Sequence, residues 1–576
     1  MTFFGCGQSS LDTGAAEPEV RHEAPDEAPD EAPDEAPDEA PDEGIPDAQA
    51  EVSEVVEPAQ VCSSGPRWGA NAMAETPPPK ELPTYTWEGP AIEAPAFTHS
   101  VASGDPLAES VILWTRFEAE SDTDLIDVFW EVALTPDFEA PLAAGWSETG
   151  SFRDYTVKVD ASGLAPATSY YFRFRALGHD SPIGRTRTSA RGCLERMRIG
   201  VVSCASYAKG YFVPYRDIGN EADLDVVIHL GDYIYEYGGS ATRMVAPPWE
   251  TVTLTDYRLR YAHYRSDPDL QEAHRQHPWI VVWDDHESAN DGWATGAQNH
   301  NQGEGDWDAR KARAARVYSE WMPIRDQEDP LKIWRSFRFG DLVDLLMLDT
   351  RLWARSAPGG WDDPSVFSDP ERTLLGADQH QWLKERLAES KARWAYIGQQ
   401  VMVGQLESEG FAFNPDQWDG YTASRDKLFQ AIEEGGAGST VVLTGDIHSS
   451  WAMDLARTPQ DPATYDADTG DGALAVEFVA PGVTSGVDIS NDVLEFVDWE
   501  SFAPHVHYRD VEHTGYLLID INRESSEATW HHLPSPLDPS ARSFVSQVMS
   551  VHQDAAHVVS IDTSRDKRSE APPLAP

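Results

Sequence analysis

Residues 278–290 read PWIVVWDDHESAN. An apolar run, too short for a core helix and rich in β-branched side chains, passes straight into Asp284, Asp285, His286 and Asn290. Such a run predicts a buried strand that ends in ligand-type groups. The same grammar recurs along the chain. RIGVVSC (198–204) ends in Cys204, and DVVIHLGD (225–232) ends in Asp232 with Tyr235 three residues on. DLLMLDTR (344–351) ends in Asp349 and Arg351, and TVVLTGDIH (440–448) ends in Asp446 and His448. WAYIGQQVM (394–402) and ALAVEFVAP (473–481) are further buried-strand runs. Helix-like stretches at 311–322, 377–394 and 424–435 lie between several of them; in the second, Trp382, Leu383, Leu387 and Trp394 fit a helical stripe. Apolar strands alternating with helices predict a layered α/β domain over 196–535.

Working outward, residues 95–192 change character. SVILWTRF, DVFWEVALT, RDYTVKVD and SYYFRFRAL are short β-rich runs between turn signals, which predicts a small β-sandwich. Residues 62–94 are rich in Pro and Gly and read as a wrapping arm. Residues 1–61 contain EAPDEAPDEAPDEAPDEAPD (23–42), where acids repel and Pro blocks helix, so a solvated, disordered stalk is expected. Ahead of it stands FFGCGQSS, similar to the end of a bacterial lipoprotein signal with Cys6 as the acylated residue, although the charged and most of the apolar regions are missing. This predicts an exported protein, extracellular or in the cell envelope, whose membrane attachment is a lipid at Cys6. Residues 536–576 are expected to form a C-terminal extension, with a helix over 540–560 and a disordered end.

The formal charge is −54, of which residues 1–60 carry 18 acidic groups and one Arg. A chain this acidic is not expected to grip nucleic acid or an anionic membrane through its surface field. Four Cys are too few for a disulfide scaffold. Cys62 and Cys193 could pair in an oxidising compartment or remain thiols. A monomer is expected.

A single Asp after a strand is usually a cap or a turn residue. Several strand ends gathered at one sheet edge are different, because ligands of open α/β sheets bind there. Clustered carboxylates repel unless cations neutralise them. Asp, Asn and His suit hard or borderline metals, and thiolate with phenolate suits an oxidised transition metal. A polynuclear metal site is therefore expected. His505, His507 and His513 are irregularly spaced and read as surface or core His. Tyr207, Tyr211, Tyr237, Trp283, Trp293 and Trp451 fall near the motifs and read mostly as packing.

The ordered set SVASGDP (100–106), SCASY (203–207), GDYIYEYG (231–238), WDDHE (283–287), LDTR (348–351), LTGDIHSS (443–450) and APGVTS (480–485) resembles the PhoD family of alkaline phosphatases and phosphodiesterases. The resemblance implies a fibronectin-III-like β-sandwich followed by a four-layer α/β/β/α metallophosphatase domain. It implies hydrolysis of phosphate mono- and diesters by a metal-bound hydroxide, with Fe(3+) and Ca(2+) as cofactors and phosphate acquisition as the purpose. Carried over by motif, Cys204, Asp232 and Tyr235 would bind iron, and Asp446 and His448 would complete the shell. Asp285 and Asn290 would serve a neighbouring calcium, with Asp232 as the bridge. Arg351 would hold a phosphate oxygen, and His286 would orient substrate or protonate the leaving group. Two alternatives stand beside this reading. A purple-acid-phosphatase-like enzyme would carry GNHE where WDDHE stands. A non-catalytic surface binder of phosphate or cations would be expected to have dropped ligands from the set.

Overall fold

The computed structural model describes residues 96–118, 125–239, 242–360, 363–408, 411–487 and 491–576, with shorter pieces between 62 and 89. The expected stalk and Cys6 lie outside the described residues. Two large sheets dominate. The ten-stranded sheet has three adjacent parallel strands at its centre, Arg196–Val202, Val226–His229 and Pro278–Val281. The seven-stranded sheet has a parallel set of four, Val343–Met347, Trp394–Gln399, Ser439–Thr444 and Ala473–Val479. All seven are runs identified in the sequence. Their near-continuous apolarity is the mark of strands covered on both faces. One hydrophobic cluster includes Val201, Val227 and Ile280 from the first sheet and Leu345, Tyr396 and Val476 from the second.

The β-rich region before residue 190 does not stand apart. Ile126–Ala133, Pro141–Thr149, Ser169–Ala176, His179–Asp180 and Gly184–Arg187 form a five-stranded sheet. Their partner strands, Val101–Gly104, Ser110–Arg116 and Thr156–Ser162, belong to the ten-stranded sheet, where Ser103 and Gly104 pair in parallel with Pro278 and Trp279. A second cluster, with Val111, Leu113, Phe172 and Phe174, fills the space between the two layers. The expected sandwich is thus built on an extension of the main sheet. Cys62 and Cys193 are joined as a disulfide, with Cα atoms 4.6 Å apart.

The expected helices appear as Trp307–Trp321, Gly376–Glu389 and Thr422–Glu433. The second stops short of its predicted end. Ser390 is extended and its hydroxyl donates to Asp344 Oδ2 at 2.6 Å, so Trp394 opens the next strand instead of closing the helix. Val213–Gly219, Leu254–Tyr264 and Pro268–Gln276 are helices that apolar periodicity did not reveal. The last two are set by local chemistry: Thr253 and Asp256 form a capping box, and Asp267 caps a helix with Pro268 at its first position.

The C-terminal extension corrects two expectations. Phe544–His552 is a strand, not a helix, and pairs antiparallel with Ser525–Leu533. Its β-branched Val545, Val548 and Val551 suit a strand, and it covers what would otherwise be an open edge. The final residues are placed against the body. Arg568 bonds Asp223, and Ala575 N donates to Gln276 Oε1 at 2.8 Å.

Candidate metal centre

Within each parallel set the strands end on the same side, so the segments that follow them meet there. Gly231 shows why a tight turn is needed. Its φ is +110°, and a Cβ would collide with Asp284. Next to it the chain enters the left-handed region at residues that are not glycine: Cys204 (φ 58°), Asp232 (57°), Asp446 (61°) and His448 (59°). Such backbone costs of order 1–3 kcal/mol per residue and persists only where the surroundings fix it. Here Cys204 N donates to Gly231 O at 3.1 Å, and Ala205 N donates to Asp232 O at 2.9 Å.

Two groups of donor atoms result, each within 4.8 Å across: Cys204, Asp232 and His448, and Asp232, Asp285 and His286. Asp232 belongs to both. Tyr235 completes the first, with its hydroxyl 3.0 Å from Asp232 Oδ2 and 3.0 Å from His448 Nε2, while Ser485 donates to the phenol oxygen at 2.7 Å. All of these side chains are buried. Asp232 Oδ1 and Asp284 Oδ2 are buried oxygens with no hydrogen-bond partner. An orphaned carboxylate oxygen in a dry site is costly. A thiol, a phenol, an imidazole and carboxylates around such atoms fit a bound cation well.

The electrostatics agree. Burial, with Asp285 and Asp446 nearby, pushes Asp232 up to about 7. Burial and Asp232 push Glu287 up to about 8, and burial with Asp416 and Asp285 does the same for Asp291. Asp285 behaves differently: burial works against its charge, yet Arg351 and His286 hold it at about 2. Burial likewise opposes the charge on His286, but Glu236, Asp232 and Asp285 keep it protonated well above the usual imidazole range. Burial and Asp232 push the Cys204 thiol up. These are the conditions under which an arriving cation displaces protons from its ligands.

Each expected site residue has a place. Cys204, Asp232, Tyr235, Asp285, His286 and His448 converge directly. Asp446 joins through Arg351, whose Nη2 donates to its Oδ1 at 2.6 Å. Asn290 is buried beside them. Its N donates to Glu236 Oε1 at 2.8 Å, and its amide donates to Gln298 Oε1 at 3.1 Å. Arg351 stands between the carboxylates. It is fully buried, with Nε bonded to Asp284 (2.5 Å), Nη1 to Asp416 (2.6 Å) and Nη2 to Asp446. Each arm of the guanidinium thus meets a carboxylate, and Arg351 holds Asp284, Asp416 and Asp446 together.

Several participants escaped sequence reasoning. Glu236 binds His286 Nδ1 at 2.6 Å. Glu287 accepts the backbone N–H groups of Asp232, Tyr233 and Asp284. Glu287 stood in view inside WDDHE, beside Asp284, which the sequence already marked as a strand-end group. Asp416 follows the two-residue strand Phe411–Ala412 by a short loop, with no apolar run long enough to give a signal.

Buried carboxylates, imidazoles, a thiol and a phenol at the carboxyl ends of two packed, parallel-centred sheets define a metallophosphoesterase. The PhoD-like phosphatase family profile matches residues 199–530, and that of the PhoD-like phosphatase N-terminal domain matches residues 84–190. Alkaline phosphatase D of Bacillus subtilis (strain 168) is 35% identical over 470 residues, which cover 77% of this chain and 79% of that protein. A solved structure of PhoD superposes with a TM-score of 0.75 at 31% identity, covering 83% of this chain and 94% of that one. The chain belongs to the PhoD-like phosphatase family and is a metal-dependent phosphoric ester hydrolase.

Proposed function

We propose that the enzyme takes ferric iron at Cys204, Asp232, Tyr235 and His448, and calcium at Asp285 and Asn290, with Asp446 completing the shell. The observation that carries this is Asp232: it is shared by both donor groups and has a buried oxygen without a partner. Thiolate and phenolate donors favour iron, and carboxylate and amide oxygens favour calcium. When bound, such metals supply Lewis acidity, a water activated at moderate pH and charge neutralisation at phosphorus. The chain supplies position. Arg351 holds Asp284, Asp416 and Asp446 in register. Glu287 pins the turn that presents Asp232 through three backbone N–H groups. Glu236 keeps the His286 ring fixed and protonated, ready to donate to the leaving group.

The substrates are phosphate mono- and diesters, and the purpose is phosphate acquisition by an exported monomer, lipid-anchored at Cys6. The Cys62–Cys193 disulfide supports an oxidising compartment. We also read the two sheets with their outer helices as the four-layer α/β/β/α arrangement, and the N-terminal strands as fibronectin-III-like. Helices 376–389 and 422–433 pack on each other in support of the outer layer.

The test is metal analysis and a visible spectrum of purified protein, with chromogenic monoester and diester assays before and after chelation. Iron and calcium in the sample, a phenolate-to-iron band and loss of both hydrolyses on chelation are expected. A colourless, iron-free enzyme of undiminished activity would overturn the iron assignment.

A further inference from the structure

A second donor cluster lies in a different part of the seven-stranded sheet. Asp454 sits in Ser450–Ala456, His507 in the edge strand Val506–Asp510, and His557 just ahead of Val558–Ser560 in the C-terminal extension. Their donor atoms all lie within 4.8 Å of one another. Asp454 Oδ2 is 2.8 Å from His557 Nδ1 and 3.0 Å from His507 Nε2. Tyr465 donates to the same oxygen at 2.8 Å, and Val558 N donates to Oδ1 at 2.9 Å. The His507 nitrogen, although close, completes no hydrogen bond. Beside the cluster is His505, 1% exposed, whose ring nitrogens complete none either. The His505 carbonyl accepts from Asp454 N at 3.0 Å.

We propose that Asp454, His507 and His557 form a second metal site, distinct from the catalytic centre, that takes a divalent transition metal of the zinc type. Two imidazoles and one carboxylate select borderline cations over calcium or magnesium. Tetrahedral zinc with bonds of about 2.0–2.1 Å needs donors roughly 3.3 Å apart. The present spacings require an outward movement of about half an ångström. His507 and His557 are partly exposed, so a cation can enter and a water can fill the fourth position.

The role follows from where the ligands come from. Asp454 and His507 belong to the seven-stranded sheet, whereas His557 precedes the last strand of the ten-stranded sheet. A metal there would clip the edges of the two sheets together and fasten the extension. Without it, the same contacts are hydrogen bonds to one carboxylate oxygen, which is a weaker fastening.

The experiment uses the full-length enzyme with its catalytic metals in place. It is titrated with Zn2+ alone and desalted, and bound zinc and the thermal unfolding midpoint are measured. One additional zinc per chain and a higher midpoint are expected, with iron and calcium content and hydrolysis unchanged. His557→Gln and His507→Gln should each lose that zinc and the midpoint shift while hydrolysing esters at the normal rate. Equal uptake and equal midpoints in the unmodified protein and both variants would overturn the proposal. A measurement on the unmodified protein guards against variants that fail to fold. Added Co2+ should give visible bands of a nitrogen and oxygen site without a thiolate charge-transfer band. Absence of cobalt uptake, or a thiolate band showing that Cys204 took the ion, would overturn it as well.

Discussion

The two ends of the central parallel strands are built on opposite electrostatic plans. At the amino ends of Arg196–Val202 and Val226–His229, carboxylates and guanidiniums neutralise one another. Asp223 pairs with Arg198 (2.7 Å) and Arg568, Asp225 with Arg187 (2.5 Å) and Arg568, and Asp520 with Arg196 (2.5 Å), Arg198 and Arg565. At the carboxyl ends, Asp284, Asp285, Asp291, Asp416 and Asp446 crowd around Arg351, with Asp232 beside Asp285 and Arg355 behind Asp416. The first end is complete as a protein. The second is complete only with cations. Ion pairing at the first end serves the fold, and the excess of carboxylates over guanidiniums at the second serves binding.

The most severe way to break the contrast is to remove the shared carboxylate. Asp232→Ala should abolish bridged metal and lower hydrolysis by about 10⁴-fold, at about 1.36 kcal/mol per tenfold. The folded state should survive, because the change also removes a buried charge among like charges. Metal content and kcat/KM with a chromogenic ester check this, and a variant with full metal and full rate would end the assignment of Asp232 as the bridge.

Breaking the other end should do the reverse. Asp223→Ala leaves Arg198 with Asp520 and Arg568 with Asp225, so it thins a buried ion-pair network without stranding either guanidinium, and the cost should fall below the roughly 3–5 kcal/mol of a fully stranded buried charge. Urea unfolding should show that loss, with kcat untouched. A stable variant of low activity would mean the two ends are not separable.

Metal removal should expose the contrast as opposite pH responses. In the metal-stripped protein, Asp232, Glu287 and Asp291 have pKa values raised to about 7, about 8 and about 8, above their unfolded values. Their contribution is fully present below the unfolded carboxylate range and is lost as pH rises to about 8, because the fold prefers them protonated. Asp225 has the other sign. Burial opposes its charge, yet Arg568 and Arg187 hold it below the usual range, so its contribution is present at neutral pH and lost on acidification. Chelated protein should lose stability steadily between pH 5 and 8, and metal-loaded protein much less. Urea midpoints at three pH values decide it. Identical profiles with and without metal would refute the excess-charge argument.

The legible part of this design is the part written contiguously. An apolar run ending in Asp, Cys or His shows both a buried strand and the donor group that follows it, which is why Cys204, Asp232, Asp285, Asp446 and His448 stood out before the fold was known. The role of Tyr235 came with its motif. What stayed hidden depends on distant partners. Nothing near Asp416 says that it meets Arg351, and nothing local shows that Glu287 holds three N–H groups. Arg351 was visible, but whether its fork faces substrate or carboxylates is settled by loops far away in sequence. Phe544–His552 was misread because its apolar residues satisfy a loose helical spacing, and the edge of Ser525–Leu533 that it covers is a tertiary fact. The joining of the sandwich to the main sheet, through Val101–Gly104 and Pro278–Val281, had no local sign at all.

The smallest effect concerns the field outside both ends. The net charge of −54 repels an anionic ester, while the attraction at the metal centre is local and buried. Salt screens the long-range part, with a Debye length of about 10 Å at 0.1 M and about 3 Å at 1 M, but hardly reaches the buried groups. Raising ionic strength should therefore lower KM for a dianionic monoester by about two- to three-fold and leave kcat unchanged. A monoanionic diester should respond less, since the repulsion scales with its charge. Residues 1–60 carry 18 of the acidic groups and one Arg, so a chain starting after them should respond less than the full chain. A KM that rises with salt would mean that the attractive field of the centre reaches beyond its walls, and that the two ends of the sheet differ less in their reach than in their chemistry.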